Sequence, residues 1–316
     1  MTKPFVRPDV QGVLGMLTAQ EGPPMHETPP EVARQMLLAM TTLAEMPRGE
    51  LARCEDFTIS SGHGHDIPAR IYQAKAGGEA GPVMTFYHGG GWVIGDLDTH
   101  DSFCAEVARL LDMTVVSVDY RLAPEHPFPA AGEDCIAATK WAASGPAEIG
   151  HPVTGIVPCG DSAGGNMAAV VCQELHGQLP VPIIAQWLIY PAVDMAAATG
   201  SMVDFAEGYL LTKDGVDYFM RHYLGGQDAA QAKASPLNAD LTGQPPALVF
   251  TCGLDPLRDQ GRAYAGKLIA SGVRTIFREA EGQIHSCITL RMAIPSAQAD
   301  IEACVRDLKF LLSEAQ

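Results

Sequence analysis

Apolar residues recur with two different periods along this chain, and the period changes at about residue 53. Before that point the signal is helical. Val10 to Leu17 is a short apolar stretch, broken by Gly22-Pro23-Pro24. Thr28, Pro29-Pro30 and Glu31 read as a helix start, with the Thr28 hydroxyl as cap and prolines in the first turn. Val32, Met36, Leu37, Met40 and Leu43 then follow at helical spacing. This segment, residues 1–52, holds no strand pattern and cannot bury its own apolar face. It is expected to lie over the remainder as a lid.

After residue 53 short strand patterns appear. Phe57–Ile59 and Ala69–Tyr72 flank the turn Gly62-His63-Gly64-His65-Asp66. Val83–Tyr87, Thr114–Val118, Gly155–Cys159, Ile183–Tyr190, Ala247–Cys252 and Arg274–Phe277 continue the series, several of them apolar throughout, as central parallel strands are when both faces are covered. Helical patterns lie between them at Ser102–Leu111, Ala131–Ala143, Asn166–His176, Arg258–Ser271 and Gln298–Leu312. Strand and helix in alternation predict an α/β fold with a mostly parallel, doubly wound sheet over residues 53–316. The connection from Ala192 to Leu241 is too long for a plain crossover and has its own helical stretch at Lys213–Tyr223. Its part 195–225 is expected to join the N-terminal segment as an inserted cap.

Composition narrows the function classes. A formal net charge of −16 over 316 residues argues against nucleic-acid and anionic-membrane partners, which would be repelled. No apolar run approaches a membrane span, and Met1 to Val10 lacks the apolar core of a signal peptide, so a cytoplasmic protein is expected. The eight cysteines are dispersed without a C-x-x-C pair, which points to buried free thiols rather than a disulfide framework or a zinc site. His63 and His65 have the spacing of a metal pair on a strand, but the glycine between them favours a polar hairpin turn.

The chemistry concentrates at Gly160-Asp161-Ser162-Ala163-Gly164, which fits G-x-S-x-G between a strand and a helix pattern. Such a turn lifts a serine above a sheet edge, and the following helix turns its N–H groups towards developing negative charge. Serine needs a histidine as base, and the histidine needs a carboxylate. Three histidines follow Ser162. His176 is on the same helix, roughly 20 Å away by helix rise. His222 is in the insertion. His285 follows the last strand, where ligand groups gather in parallel sheets, and is the choice. Asp255, just beyond the strand Ala247–Cys252, is the chosen carboxylate. Its rival Asp259 is read as a cap of the next helix, and Asp194 is a weaker third. Gly89-Gly90-Gly91 after the strand at 83–87 can curl with its N–H groups free for an oxyanion, and Ala163 N–H adds a donor.

Together, His88-Gly89-Gly90-Gly91-Trp92, Tyr120-Arg121-Leu122-Ala123-Pro124-Glu125, Gly160-Asp161-Ser162-Ala163-Gly164-Gly165-Asn166, Asp255-Pro256-Leu257-Arg258-Asp259 and His285 resemble the hormone-sensitive-lipase family, in particular bacterial esterases with this elbow. The resemblance runs from about residue 55 to the C-terminus. It implies an α/β-hydrolase fold with a helical cap, a Ser162–His285–Asp255 triad, and an oxyanion hole of Gly90, Gly91 and Ala163. It also implies that His88 and Tyr120–Glu125 brace the glycine turn. The expected activity is hydrolysis of short- to medium-chain carboxylic esters without metal or cofactor, by a possible homodimer. Trp92, Tyr190, Phe205 and Tyr209 are candidate pocket walls. A lactonase, amidase or carbamate hydrolase with the same triad is an alternative, as is a non-catalytic small-molecule receptor. The chain departs from the family's usual Gly-Phe after the histidine, with Ser286-Cys287 instead.

Overall fold

Residues 3–19 and 22–314 are described by the computed structural model; Met1, Thr2, Gln20, Glu21, Ala315 and Gln316, the first four within the segment 1–52, lie outside the described residues. Eight strands form one sheet in the order β1-β2-β4-β3-β5-β6-β7-β8. They are β1 Arg53–Ser60, β2 Asp66–Gln73, β3 Gly81–Tyr87, β4 Thr114–Val118, β5 Val153–Asp161, β6 Gln186–Ile189, β7 Ala247–Leu254 and β8 Thr275–Ile284. Only β2 runs against its neighbours; from β4 to β8 every pairing is parallel.

The continuous apolar runs are explained by two cores, one on each face. Successive residues of a strand serve opposite faces. Val83 and Tyr87, Val116 and Val118, Leu188, and Val249 enter one core. Met84 and Phe86, Val115, Trp187 and Ile189, and Leu248 and Phe250 enter the other. Helices α4 (Ala130–Ala143), α5 (Ala163–Leu175) and α8 (Arg258–Ala270) cover the first face. Helices α3 (Asp101–Leu111) and α9 (Ser296–Ser313) cover the second. A fully buried side chain such as Val249 or Phe86 contributes about 1.5–3 kcal/mol, so both faces of the sheet contribute to stability.

The remaining α-helices, taken together as the cover, are α1 (Pro8–Ala19), α2 (Pro30–Ala44), and α6 (Ser201–Asp204) and α7 (Lys213–Leu224) in the connection after β6. Thr28 does not cap α2: the cap position is Pro29, and the Thr28 hydroxyl donates backwards to Met25 O at 2.8 Å. The sixth strand is shorter than the apolar run Ile183–Tyr190, with Ile183 making only an isolated bridge to Ile156. The last strand is longer than expected and reaches Ile284, because its pairing with β7 continues through polar residues to Leu254 opposite Ile284. In the turn between β1 and β2, His65 Nε2 lies 2.8 Å from Asp134 on α4, so the ring faces that helix. No helix among the described residues is long and apolar enough to cross a membrane.

Candidate active site

The site is built on the ends of β3, β5, β7 and β8. β5 ends at Asp161 and α5 begins at Ala163, leaving Ser162 alone at the apex with φ 55° and ψ −115°. That conformation costs a non-glycine residue about 1–3 kcal/mol and persists only where its surroundings enforce it. Here the enforcement is visible. Ser162 N donates to Ile189 O at 2.9 Å, while Ser162 O accepts from Asn166 N and Ala192 N, both at 3.1 Å. Gly164 presses directly against the end of β3: a Cβ there would run into Tyr87 O and lie 2.7 Å from His88 O. The glycine thus sets how closely the elbow approaches the glycine turn.

His285 and Asp255 converge on that serine. His285 Nε2 lies 2.8 Å from Ser162 Oγ, and His285 Nδ1 lies 2.7 Å from Asp255 Oδ2. Asp255 is fully buried, and its second oxygen accepts from Leu257 N at 2.8 Å. The carboxylate is therefore fixed on both sides. The rivals are elsewhere. Asp259 lies in the first turn of α8, and its Oδ2 accepts from Ser201 N at 2.9 Å, so it holds the start of α6 rather than capping α8. Asp194 accepts from Ala196 N in its own turn. His222 packs on Tyr218, and His176 ends α5.

The glycine turn faces the elbow. Gly90 and Gly91 adopt φ 117° and 60°. Among the described residues the N–H groups of Gly90, Gly91 and Ala163 have no protein acceptor. Below the turn, His88 stacks on Tyr120 with centroids 4.3 Å apart, and the Tyr120 hydroxyl donates to His88 O at 2.6 Å. Burial, with nearby His100, lowers the His88 pKa to about 4, so the ring is neutral. Its Nδ1 is 2.8 Å from Gly89 O, while among the described residues Nε2 has no hydrogen-bond partner and lies 3.8 Å from Asp119. Burial and the neighbouring Asp96 and Asp98 push Asp119 up to about 6.

Asp161, inside the elbow motif, is the centre of a buried hydrogen-bond cluster. Its Oδ1 accepts from Gly89 N at 2.7 Å and lies 3.1 Å from His100 Nε2, and its Oδ2 accepts from the Tyr190 hydroxyl at 3.3 Å. Burial opposes its ionisation, but His100, His285 and the Gly89 N–H together hold its pKa below the ordinary carboxylate range. No sequence signal pairs position 161 with 100; only the sheet brings them together.

The aromatic candidates occupy different places. Tyr190 is buried behind the relay, its ring centroid 4.5 Å from that of His285. Trp92 stacks on Tyr223 of α7 at 4.3 Å, and Phe205 meets Tyr209 edge-on at 5.4 Å. Phe219 of α7, not foreseen, packs on Gly91 so tightly that a Cβ there would strike its ring. Its place in the helical pattern shows no such role.

A family described as alpha/beta hydrolase fold matches residues 84–289, from within β3 to just beyond His285. Carboxylesterase NlhH of Mycobacterium tuberculosis is 38% identical over 311 residues, 94% of this chain and 95% of that protein. The chain belongs to the hormone-sensitive-lipase-like α/β hydrolases. Within this family, carboxylic ester hydrolase LipN of Mycobacterium tuberculosis is 46% identical over 234 residues, 71% of this chain but 62% of LipN, so the match spans less than two thirds of that relative. A thermostable esterase from Pseudomonas putida superposes with a TM-score of 0.92 at 33% identity, over 99% of each chain. The family match begins after α1 and α2 and includes α6 and α7. At the departure from Gly-Phe, Ser286 takes φ 62°, and buried Cys287 turns inward, its Sγ 3.7 Å from Cys252 Sγ.

Proposed function

We propose that this chain is a carboxylic ester hydrolase working through an acyl-enzyme on Ser162. The observation that carries this reading is the unbroken series Asp255 Oδ2, His285, Ser162 Oγ, with contacts of 2.7 and 2.8 Å. Names of relatives agree, since LipN, NlhH and the Pseudomonas putida protein are all described as ester hydrolases. In this mechanism Ser162 Oγ attacks the ester carbonyl as His285 Nε2 takes its proton. Asp255 keeps the other ring proton on Nδ1 and stabilises the imidazolium. The N–H groups of Gly90, Gly91 and Ala163 hold the oxyanion. The imidazolium then protonates the leaving alcohol. A water molecule, deprotonated by the same nitrogen, releases the acid and restores Ser162.

Residues 1–52 and 195–225 act as the cap of a catalytic domain spanning 53–316. Support comes from α7, which places Phe219 on Gly91 and Tyr223 on Trp92. An aromatic ring so close to the oxyanion turn limits acyl length, which favours short to medium chains. Phe205, Tyr209, Trp92 and Tyr190 contribute walls or backing to that pocket. The test is fluorophosphonate labelling read by mass spectrometry, alongside a chain-length series of nitrophenyl esters. One adduct on Ser162, none in Ser162→Ala and a rate maximum at short to medium chains are expected. Labelling elsewhere would reject the triad, and a maximum at long chains would reject the pocket reading.

A further inference from the structure

The mechanism above makes no use of His100, a buried histidine at the start of α3. We infer that His100 is a positioning residue that sets the oxyanion turn through Asp161, a reading that rests on the hydrolase mechanism just proposed. Asp161 is the chain neighbour of Ser162, and a Cβ added at Gly89 would strike its carboxylate, so the glycine turn is seated directly on that group. The Gly89 N–H bond of 2.7 Å fixes the height of the turn over the elbow. Whatever orients the carboxylate therefore orients Gly90 and Gly91 relative to Ser162.

His100 is built to do this. Its Nε2 lies 3.1 Å from the same Asp161 oxygen that Gly89 uses. On the far side Nδ1 lies 3.0 Å from Thr99 Oγ1, which is itself tied to Asp96 by Asp96 N at 3.0 Å and Asp96 O at 2.9 Å. Phe86, 5.7 Å away between centroids, packs against the ring. The imidazole is thus held at both nitrogens and across its face, and among the described residues neither nitrogen reaches Ser162, His285 or Asp255. The other oxygen of Asp161 meets Tyr190, whose ring lies on His285. One carboxylate, oriented by His100, touches the neighbours of all three reacting elements.

Donors aimed at the oxyanion matter in the transition state and little in ground-state binding. Displacing them by a fraction of an ångström should therefore lower kcat and leave KM nearly alone. The experiment compares the parent with His100→Ala and His100→Gln, whose amide nitrogen reaches the Nε2 position. A nitrophenyl ester gives kcat and KM, and a trifluoromethyl ketone with the same acyl group gives Ki for a tetrahedral adduct. For His100→Ala, kcat is expected to fall on the order of 10–100-fold, with KM within about twofold and Ki rising by the same factor as kcat falls. His100→Gln is expected to restore both. An unchanged Ki, or a loss confined to KM, would overturn the assignment. Should His100→Ala not fold, His100→Asn serves: its shorter amide falls away from Asp161, the same paired loss is expected, and parent-like kcat and Ki would overturn the inference. Fluorophosphonate labelling of the parent separates the two levels. No adduct on Ser162 defeats the hydrolase mechanism, whereas a normal adduct with unaffected His100 variants defeats the positioning role alone.

Discussion

The strand-end cluster and the cover are built on different principles. Around the strand ends, backbone meets backbone: Gly164 lies against Tyr87 O, Asp255 and His285 are 0% and 3% exposed, and each polar atom of the relay has a short partner. The cover shows more apolar surface. Val32, Met36, Leu43 and Val203 stand 42%, 37%, 77% and 60% exposed, while Ala33, Leu37 and Tyr223 reach the core and polar pins add to that packing. Arg34 of α2 donates to Val93 O at 2.9 Å and pairs with Glu125; Glu45, beyond its other end, pairs with Arg291; the Tyr218 hydroxyl of α7 donates to Thr28 O at 3.2 Å. Geometry that must hold to tenths of an ångström comes from close-packed sheet ends. The cover helices join that framework through longer side-chain contacts as well as packing.

The largest expected effect lies on the strand-end side. Asp255→Asn should lower kcat by about 10⁴-fold, because an amide no longer holds the ring proton on Nδ1; nitrophenyl ester turnover, with circular dichroism to confirm the fold, measures it. Next come two glycines that contrast the regions. Gly164→Ala forces a methyl into the backbone of β3 and should cost about 3 kcal/mol or more in urea unfolding. Gly12→Ala, in α1 with open space around it, should be neutral or stabilise by up to about 1 kcal/mol. Equal losses at both sites would erase the distinction.

A smaller effect concerns pH. His88 titrates near 6.5 when unfolded and about 4 when folded, so the unfolded chain binds the proton first and stability falls as pH drops from 6.5 to 4. Asp119 works in the opposite sense: its folded pKa of about 6 exceeds the unfolded 3.8, and stability rises over nearly the same fall in pH. Each group is worth about 3 kcal/mol in magnitude, and the two largely offset one another. Asp119→Asn should unmask the His88 slope, giving a protein that loses stability between pH 6.5 and 4 while the parent changes little from these groups. Parallel curves for the two would contradict the opposed burial of this pair.

Much of the strand-end half was legible beforehand. Ser162, Asp255 and His285 stand at strand ends in a readable chain order, and apolar runs located most of the sheet. The misses have physical causes. The second half of β8, Arg278–Gly282, is polar because its charged side chains pair with the flanking helices, Arg278 with Asp307 and Glu279 with Arg262, so the apolar pattern stops at Phe277 while the hydrogen bonding does not. Thr28 looked like a cap by residue type, but Pro29 took the position and sent its hydroxyl backwards. Asp161 sits in a motif where its identity looks like spacing, and its partner His100 is brought to it only by strand pairing and the placement of α3. Asp259 holds α6 across a gap of 58 residues, a contact no local pattern encodes.

The cover offers the finest test of the comparison. Arg34 reaches Val93 O, two residues past the glycine turn, and the stretch 120–125 through Ala123 O at 3.1 Å and Glu125. Its hydrogen bond and charge hold the Glu125 carboxyl down to about 2, so this contribution is present at neutral pH and fades as pH falls from about 4.5 towards 2. The pair is half exposed, and the ion pair itself adds about 0.5 kcal/mol or less; the two backbone bonds add roughly 1 kcal/mol each. Arg34→Ala should therefore lower stability by about 2–2.5 kcal/mol. Since Asp161 holds the glycine turn, loosening the Val93 contact should leave kcat within about twofold while KM rises a few-fold as α2 drifts. Steady-state kinetics on a short-chain nitrophenyl ester measures both. A fall in kcat exceeding the rise in KM would mean that the turn depends on the cover as much as on the sheet, and the two regions would then be one device.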